Sequence, residues 1–287
     1  NYRIMAGIGD NTSKVTKYDN PNRTLTDPYE GQQLGEIWGY VVDGYFKTDE
    51  EARNYKVDQS FVNQMINASA LDNGLHAGDL KFVDLDGNNK IEQTTSANDR
   101  KDMKVIGNSL PRYNYNFGIS ADWYGIDLSV LFQGIGKQNW YPGAETSMFW
   151  GPYSRPYASF IPSDFMSQVW SEENTNAYFP RPRGYVALGS NRELAVVNTK
   201  YLQNLAYCRL KNLSIGYTLP DKWLSKIGFE KIRVYFSGEN LLTFTKLHSD
   251  YIDPEQASAS NSWKTSKSDA NIYPWAKTYS FGVDITF

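Results

Sequence analysis

The sequence predicts an all-β chain: transmembrane antiparallel β-barrel strands joined by long loops that carry short helices. Three observations predict it. Apolar and polar residues alternate with period two over stretches of roughly ten residues. Long and short connections take turns between those stretches, as in barrels with short periplasmic turns and long outer loops. Aromatics such as Tyr113, Trp123, Tyr201, Tyr217, Tyr273 and Trp275 gather near the strand ends, where a membrane barrel places its interfacial girdles. Alternation alone also fits a sheet with one face in a core and one in water. A secreted or surface glycan-binding β-sandwich is therefore the alternative reading at this point.

Composition narrows the classes. The chain has 29 Lys and Arg against 32 Asp and Glu, a net charge of −3, so nothing electrostatic points to nucleic acid. Aromatics make up 15% of it, whereas disordered chains are poor in them. The single cysteine, Cys208, excludes an intramolecular disulfide framework and a multi-Cys zinc site. No apolar run is long enough for a transmembrane helix, which leaves a membrane barrel open. The opening Asn1-Tyr2-Arg3 has no leader pattern and reads as the start of a mature protein or a fragment. No GxSxG, HExxH or P-loop pattern occurs, so the chain is not expected to be an enzyme.

In chain order, Tyr2 to Ile8 is a weak strand candidate and Gly35 to Tyr45 a further strand. Thr48-Asp49-Glu50-Glu51 is a capping box that should open a short helix. Phe61 with Met65, and Val62 with Ile66, form i,i+4 pairs. Tyr113, Tyr115, Phe117, Ile119, Ala121 and Trp123 then share one face, opposite Asn114, Asn116, Gly118, Ser120 and Asp122. Tyr124-Gly125 makes a tight turn into Ile126, Leu128, Val130 and Phe132. Ser163 should cap a segment bearing Phe165, Met166, Val169 and Trp170. Tyr201 to Tyr217 reads as a strand with one parity slip, the mark of a bulge. Asp221 should begin one helical turn with Trp223, Leu224 and Ile227, stopped by Gly228. Ile232, Val234 and Phe236 alternate next, and Tyr279, Phe281, Val283, Ile285 and Phe287 last.

No domain boundary interrupts residues 1–287. Residues 46–111 and 136–200 read as long extracellular loops, 243–273 as a third, and 124–125 and 218–230 as periplasmic turns. On this reading Tyr115, Phe117, Ile119, Ile126, Leu128, Val130, Ile232, Val234, Phe281, Val283 and Ile285 face lipid.

The densest local chemistry is Asp84-Leu85-Asp86-Gly87-Asn88-Asn89-Lys90-Ile91-Glu92. Oxygen ligands at alternate positions suit Ca2+, which takes six to eight oxygens. Asp84, Asp86, Asn88, the Lys90 carbonyl and Glu92 fall in that rhythm. Asn89 stands where a calcium loop has Gly, and Asn enters the left-handed region more readily than most residues. The twelfth position is Thr95, which has no carboxylate. Asp99 would complete the set if Gln93 to Ala97 looped out. A plain Asp/Asn/Gly turn without metal is the other reading. In the loop 136–200, Trp140, Tyr141, Phe149, Trp150 and Tyr153 could offer stacking surfaces to cargo, or could simply pack the loop.

Segments ordered along nearly the whole chain resemble the barrel of SusC/RagA-family TonB-dependent outer-membrane transporters of Bacteroidetes. They are Gly39 to Gly44 (GYVVDG), Gly78 to Asp84 (GDLKFVD), Asn98 to Arg100 with Val105 to Gly107, and Pro111 to Gly118 (PRYNYNFG). Asp127 to Gly134 (DLSVLFQG), Arg209 to Pro220 (RLKNLSIGYTLP), Val234 to Thr245 (VYFSGENLLTFT), Asp253 to Glu255 and Tyr279 to Phe287 (YSFGVDITF) follow. The resemblance implies the carboxy-terminal portion of a large plugged barrel of about 22 strands in the outer membrane of a Gram-negative bacterium. It further implies import of oligosaccharides or peptides, energised through TonB, with a SusD-like surface lipoprotein over the mouth. The plug and the remaining strands, which this piece must pair with, would lie outside this chain. The family's calcium-like loop lacks the insertion seen here between Glu92 and Asp99. The closing strand, with Phe281, Val283, Ile285 and a final Phe287, resembles the terminal assembly signal of outer-membrane barrels.

Overall fold

A computed structural model describes residues 1–63, 74–154, 161–189, 192–224, 228–257, 267–268 and 273–287. Its strands in chain order are β1 (Tyr2–Gly9), β2 (Glu36–Tyr40), β3 (Val42–Tyr45), β4 (Leu80–Phe82), β5 (Met103–Asn108), β6 (Arg112–Trp123) and β7 (Ile126–Lys137). They continue with β8 (Asn139–Pro142), β9 (Gln203–Asn204), β10 (Tyr207–Thr218), β11 (Lys231–Thr245), β12 (Lys267–Ser268) and β13 (Thr278–Thr286). Short helices are α1 (Asp49–Arg53), α2 (Ser147–Trp150) and α3 (Asp221–Leu224).

Six strands form one sheet in the order β1, β6, β7, β10, β11, β13, with every neighbouring pair antiparallel. Residues directly opposite in such a pair share a face. Ile119 faces Val130, Val130 faces Leu213, Ile215 faces Phe236 and Phe236 faces Phe281. One apolar face thus runs across the sheet. Apart from Leu210 beside the bulge, which is buried, its large side chains are half-buried or exposed, reaching 48% for Ile119 and 83% for Phe281. All eleven expected lipid-facing positions lie on it and none is buried. A sandwich would bury this face under a second sheet, so that alternative is set aside. A barrel wall leaves it to lipid.

The other face is polar. Ser120, Ser129, Ser214, Ser237 and Ser280 lie side by side across five strands. Nearer the short-turn end, Arg233 forks onto Asp127 at 2.8 and 2.7 Å and reaches Asp284 at 3.1 Å. This bridge from β11 to β7 passes over Gly216 of β10. A Cβ there would lie 2.5 Å from Asp127 Oδ1 and 2.6 Å from Arg233 Nε.

The turns are as expected at the short end. Tyr124 (φ 48°) and Gly125 (φ 86°) supply the two positive φ angles of a two-residue I′ hairpin. The predicted bulge falls between Leu210 and Asn212, where both neighbours of β10 shift register. α3 forms at Asp221, and Gly228 has φ 77°, while Ile227 lies outside the described residues.

The long connections fold into a cap at the other end. Thr48 Oγ1 accepts the Glu51 N–H at 3.1 Å and opens α1. Glu51 Oε2 accepts the Lys47 N–H at 2.8 Å, closing a variant of the capping box one residue earlier. Met65 and Ile66 lie outside the described residues. Gly35 to Tyr45 does not join the barrel sheet. It splits into β2, paired with β5, and β3, paired with β4. Gly39 presses so closely on Ile106 and the Val197 carbonyl that a Cβ would sit 2.5 and 2.7 Å from them. The first outer connection therefore runs from residue 10 to 111, not from 46. The expected helix at Ser163 is a 3-10 turn over Phe165–Gln168 whose N-cap is Asp164. Tyr201, expected at the membrane interface, is fully buried in the cap.

Candidate functional site

The acidic loop folds on its own side chains. Asp84 accepts N–H bonds from Gly87 and Asn89, both at 2.7 Å. Asp86 accepts from Asn88 at 3.0 Å, and Asn88 Oδ1 accepts from Lys90 at 2.8 Å. Asn89 takes φ 61°, the left-handed conformation that the sequence required of it. Asn88 Nδ2 reaches Glu92 at 3.2 Å. Lys101 and Lys90 lie 3.5 and 3.9 Å from the Glu92 carboxylate.

Asp84 and Asp86 come together with Asp102, their nearest oxygens all within 4.8 Å of one another. Asp99 is not in that cluster. It sits in a separate turn tied by its N–H to the Ser96 carbonyl and by its carbonyl to the Thr94 hydroxyl. Asp102 is fully buried and accepts the Leu85 and Glu92 N–H groups at 2.9 and 2.7 Å. Burial pushes its carboxyl up, those two N–H groups pull it down, and the Asp86 and Asp84 charges push it up again, leaving it above the ordinary value. Burial also pushes Asp84 up, but the Asn89 and Gly87 N–H groups outweigh it and hold it below. Three converging carboxylates, each oxygen with a second lone pair to give, fit a hard divalent cation.

A second charged cluster joins wall to cap. Arg209 on β10 is 2% exposed. It donates to Asp253 at 2.6 Å, Glu255 at 2.7 Å and Thr243 at 3.0 Å. Lys211 Nζ donates to the same Glu255 at 2.9 Å. Asp253 also accepts the Trp275 N–H at 3.2 Å. The sequence contained Arg209, Lys211 and the Asp253-Pro254-Glu255 turn as separate segments, with nothing local to join them.

The aromatics offered as stacking surfaces are cap core. Trp140, Tyr141 and Trp150 are 0% exposed, Tyr153 is 1% and Phe149 is 2%. Phe149 packs edge-on against Trp150 at 4.8 Å and Phe179 at 5.6 Å. Trp150 Nε1 donates to the Gly143 carbonyl and the Tyr153 hydroxyl to the Pro180 carbonyl. Rings enclosed on all sides cannot stack on cargo, so this expectation is corrected for all five.

The cap also buries ions. Asp79 and Glu193 are 0% exposed. Asp79 is paired with Arg183 and, at 2.8 Å, with Arg181. Arg183 Nε lies 3.0 Å from Glu193. On the closing strand, Phe281, Val283 and Ile285 lie on the exposed apolar face, and Phe287 packs its ring 5.2 Å from Phe229.

Apolar-out strands, a polar inner face, short turns at one end and a folded cap at the other define a class: a segment of an outer-membrane β-barrel. No protein-family model matches the chain. A TonB-dependent receptor of Formosa agariphila is 29% identical over 264 residues, covering 90% of this chain and 22% of the relative. Another from that organism is 25% identical over 283 residues, covering 90% of this chain and 25% of the relative. The RagAB peptide importer in its open-open state superposes with a TM-score of 0.61 at 19% identity, over all of this chain and 26% of that one. The RagAB peptide transporter gives 0.56 at 18% identity, covering 27% of that chain. The chain is similar to TonB-dependent receptors over 90% of its length, and its fold is that of a portion of an outer-membrane transporter barrel. It spans 22% of the length of the first of these relatives. The relatives are receptors, not enzymes.

Proposed function

We propose that the whole protein imports oligosaccharides through the outer membrane, energised by TonB, and that this chain supplies part of the barrel wall and the outer cap. The carrying observation is the two-faced sheet: exposed apolar side chains on one side, serines and an ion-paired ladder on the other. Such a wall belongs between lipid and a wet lumen. A SusD-like lipoprotein is the partner proposed for the mouth, where the folded cap offers more surface than a simple rim needs. Peptide is the competing cargo. The test is uptake of fluorescently labelled oligosaccharides by cells carrying or lacking the gene, with and without TonB. Uptake that survives loss of the gene or of TonB refutes the proposal.

We further propose that Asp84, Asp86 and Asp102 hold a structural Ca2+, with Asn88, the Lys90 carbonyl and Glu92 close by to complete it. The support is the donor set and the raised Asp102 carboxyl. Thermal melting of the full-length protein should rise with added calcium and fall with chelator; identical curves overturn this.

A further inference from the structure

His248 stands where the third outer connection leaves the wall. β11 ends at Thr245, and the segment after it docks on the cap before Asp253 and Glu255 reach Arg209. Three contacts dock it. The His248 N–H donates to Gln203 Oε1 at 3.2 Å. Ser249 Oγ donates to the Met148 carbonyl at 2.7 Å. The His248 ring lies flat on Tyr178, with centroids 3.5 Å and planes 14° apart, and Phe149 and Phe179 meet it edge-on at 6.1 and 5.6 Å.

The two ring nitrogens differ. Gln168 Nε2 donates to Asp164 Oδ2 at 3.3 Å, which turns Gln168 Oε1 toward the imidazole, 2.8 Å from His248 Nε2. An amide oxygen only accepts, so the neutral ring keeps its proton on Nε2 and takes a second on Nδ1. A cleft of about 50 Å3, lined by Asp164, Gln168, His248 and Asp250 among others, is wide enough to admit water to the ring.

The charged groups facing the ring are Asp250 on its own segment, Asp164 at the head of the 3-10 turn over Phe165–Gln168, and Lys200. From α2 and from residues 178–179 only aromatic groups pack on it. The Tyr178 hydroxyl, pushed up to about 12 by burial, stays neutral. Lys200 Nζ lies 5.5 Å from the Tyr178 ring centroid, so a charged imidazole would set two cations against one ring. Burial lowers the imidazole most. Asp250 raises it, Lys200 lowers it and Asp164 raises it, leaving it below the ordinary 6.5.

We infer that His248 is a proton-operated latch, holding residues 246–252 of the third outer connection to residues 164–179 of the second. Neutral, the ring is stacked and bonded to Gln168. Charged, it is better solvated out of the stack. The released segment takes the proton near the ordinary value and the docked one only below it, so the latch is at full strength above about 6.5 and weakens as pH falls through it. Residues 253–257 stay in place, because Arg209 and Lys211 hold Asp253 and Glu255. Acid outside the cell would thus loosen one loop of the cap and leave the wall intact. The inference needs neither a cargo nor a bound cation.

The test is hydrogen–deuterium exchange of the full-length protein in detergent at about pH 5 and about pH 8. Each peptide is compared with the same peptide of a variant at the same pH, so the intrinsic pH dependence of exchange cancels. His248→Gln keeps a donor for Gln168 without a titrating ring, and His248→Phe keeps the stack should the Gln variant fail to assemble. His76 and Glu193 titrate in all three proteins and cancel likewise. The ratio of wild-type to variant exchange over 246–252 and 164–179 should be severalfold higher at the lower pH, with 253–257 and β11 unchanged. Equal ratios at the two pH values overturn the latch. A rise spread equally over β10 and β11 is general loosening and overturns it as well.

Discussion

Replacing Glu193 by Gln should remove a pH dependence from the outer cap. Glu193 is fully buried. Its Oε2 accepts the Leu80 N–H at 3.2 Å, and Arg183 stands 3.0 Å from Oε1. Asp79 and Arg181 complete the charged group, and the hydroxyls of Tyr45, Tyr153 and Tyr201 lie around it. Burial raises the Glu193 carboxyl most, Arg183 lowers it, Asp79 raises it again, and the result is about 7 against an ordinary 4.5. The folded cap therefore holds this proton more tightly than the unfolded chain does. The stabilisation is complete below 4.5 and is lost as pH rises through about 7. The interval is worth on the order of 3 kcal/mol, without discount for exposure because the group is buried. Cap melting can be followed in the full-length protein by tryptophan fluorescence, since Trp140 and Trp150 are 0% exposed. Wild type should lose more melting temperature between about pH 5.5 and about pH 8 than the Gln variant, which keeps only the opposite slope of His76 and His248, both lowered chiefly by burial in the folded cap. Equal pH slopes for the two proteins would refute the reasoning.

Three further outcomes follow from the wall and the acidic loop. Val130→Lys, on the lipid face, should cost about 2–4 kcal/mol and lower the folded fraction in outer-membrane extracts, whereas Ser129→Lys, one residue away on the lumen face, should assemble normally; equal losses would mean the faces are misassigned. Gly216→Ala should push the Arg233–Asp127 fork apart and cost about 1–2 kcal/mol, an effect that must disappear in an Asp127→Ala background when melting of the double variant is compared with each single one. Asp102→Asn should abolish the calcium-induced rise in melting temperature yet leave the chelated protein within about 1 kcal/mol of wild type, because neutralising one of three clustered carboxylates relieves repulsion when no cation is present; an unchanged calcium response would remove Asp102 from the site.

The wall was legible because its signal is local. Period-two alternation depends only on successive side chains pointing to opposite faces, so β6, β7, β10, β11 and β13 could be read residue by residue, and the bulge near Leu210 showed as a parity slip. β1 was legible only weakly: Gly7 and Gly9 interrupt its pattern, and its partner β6 lies beyond the whole first connection. Gly35 to Tyr45 read as a strand, but its assignment to cap and not wall depends on pairing with residues 103–108 and 80–82, which no local pattern encodes. Asp99, expected to complete the metal set, was misplaced for a similar reason, while Asp84 and Asp86 do converge. Both Asp99 and Asp102 follow the loop at workable distances, and the choice is made by Thr94 and Ser96, whose side chains and backbone close a turn that holds Asp99 apart. The five cap aromatics were misread because a Trp shows its size in a sequence but not its neighbours. Phe149 is enclosed by Phe179, Tyr178 and Tyr201, and they arrive from a later stretch of the same loop.

Opposite hydrophobic rules meet in this one chain, and the place where they meet is ionic. In the wall, apolar side chains point away from the protein, since burying them requires lipid and not protein. In the cap, rings of the same chemistry turn inward and are covered almost completely, as water on the outside demands. A seam between the two cannot be apolar on the lumen side, where water reaches it. It is made instead by Arg209 and Lys211 from the wall and by Asp253 and Glu255 from the cap. Removing either partner alone would leave a buried charge unmatched, at a cost of about 3–5 kcal/mol, so the seam holds the two parts in register more firmly than its small area suggests. Trp275 and Asp253 are joined by a backbone hydrogen bond at this seam.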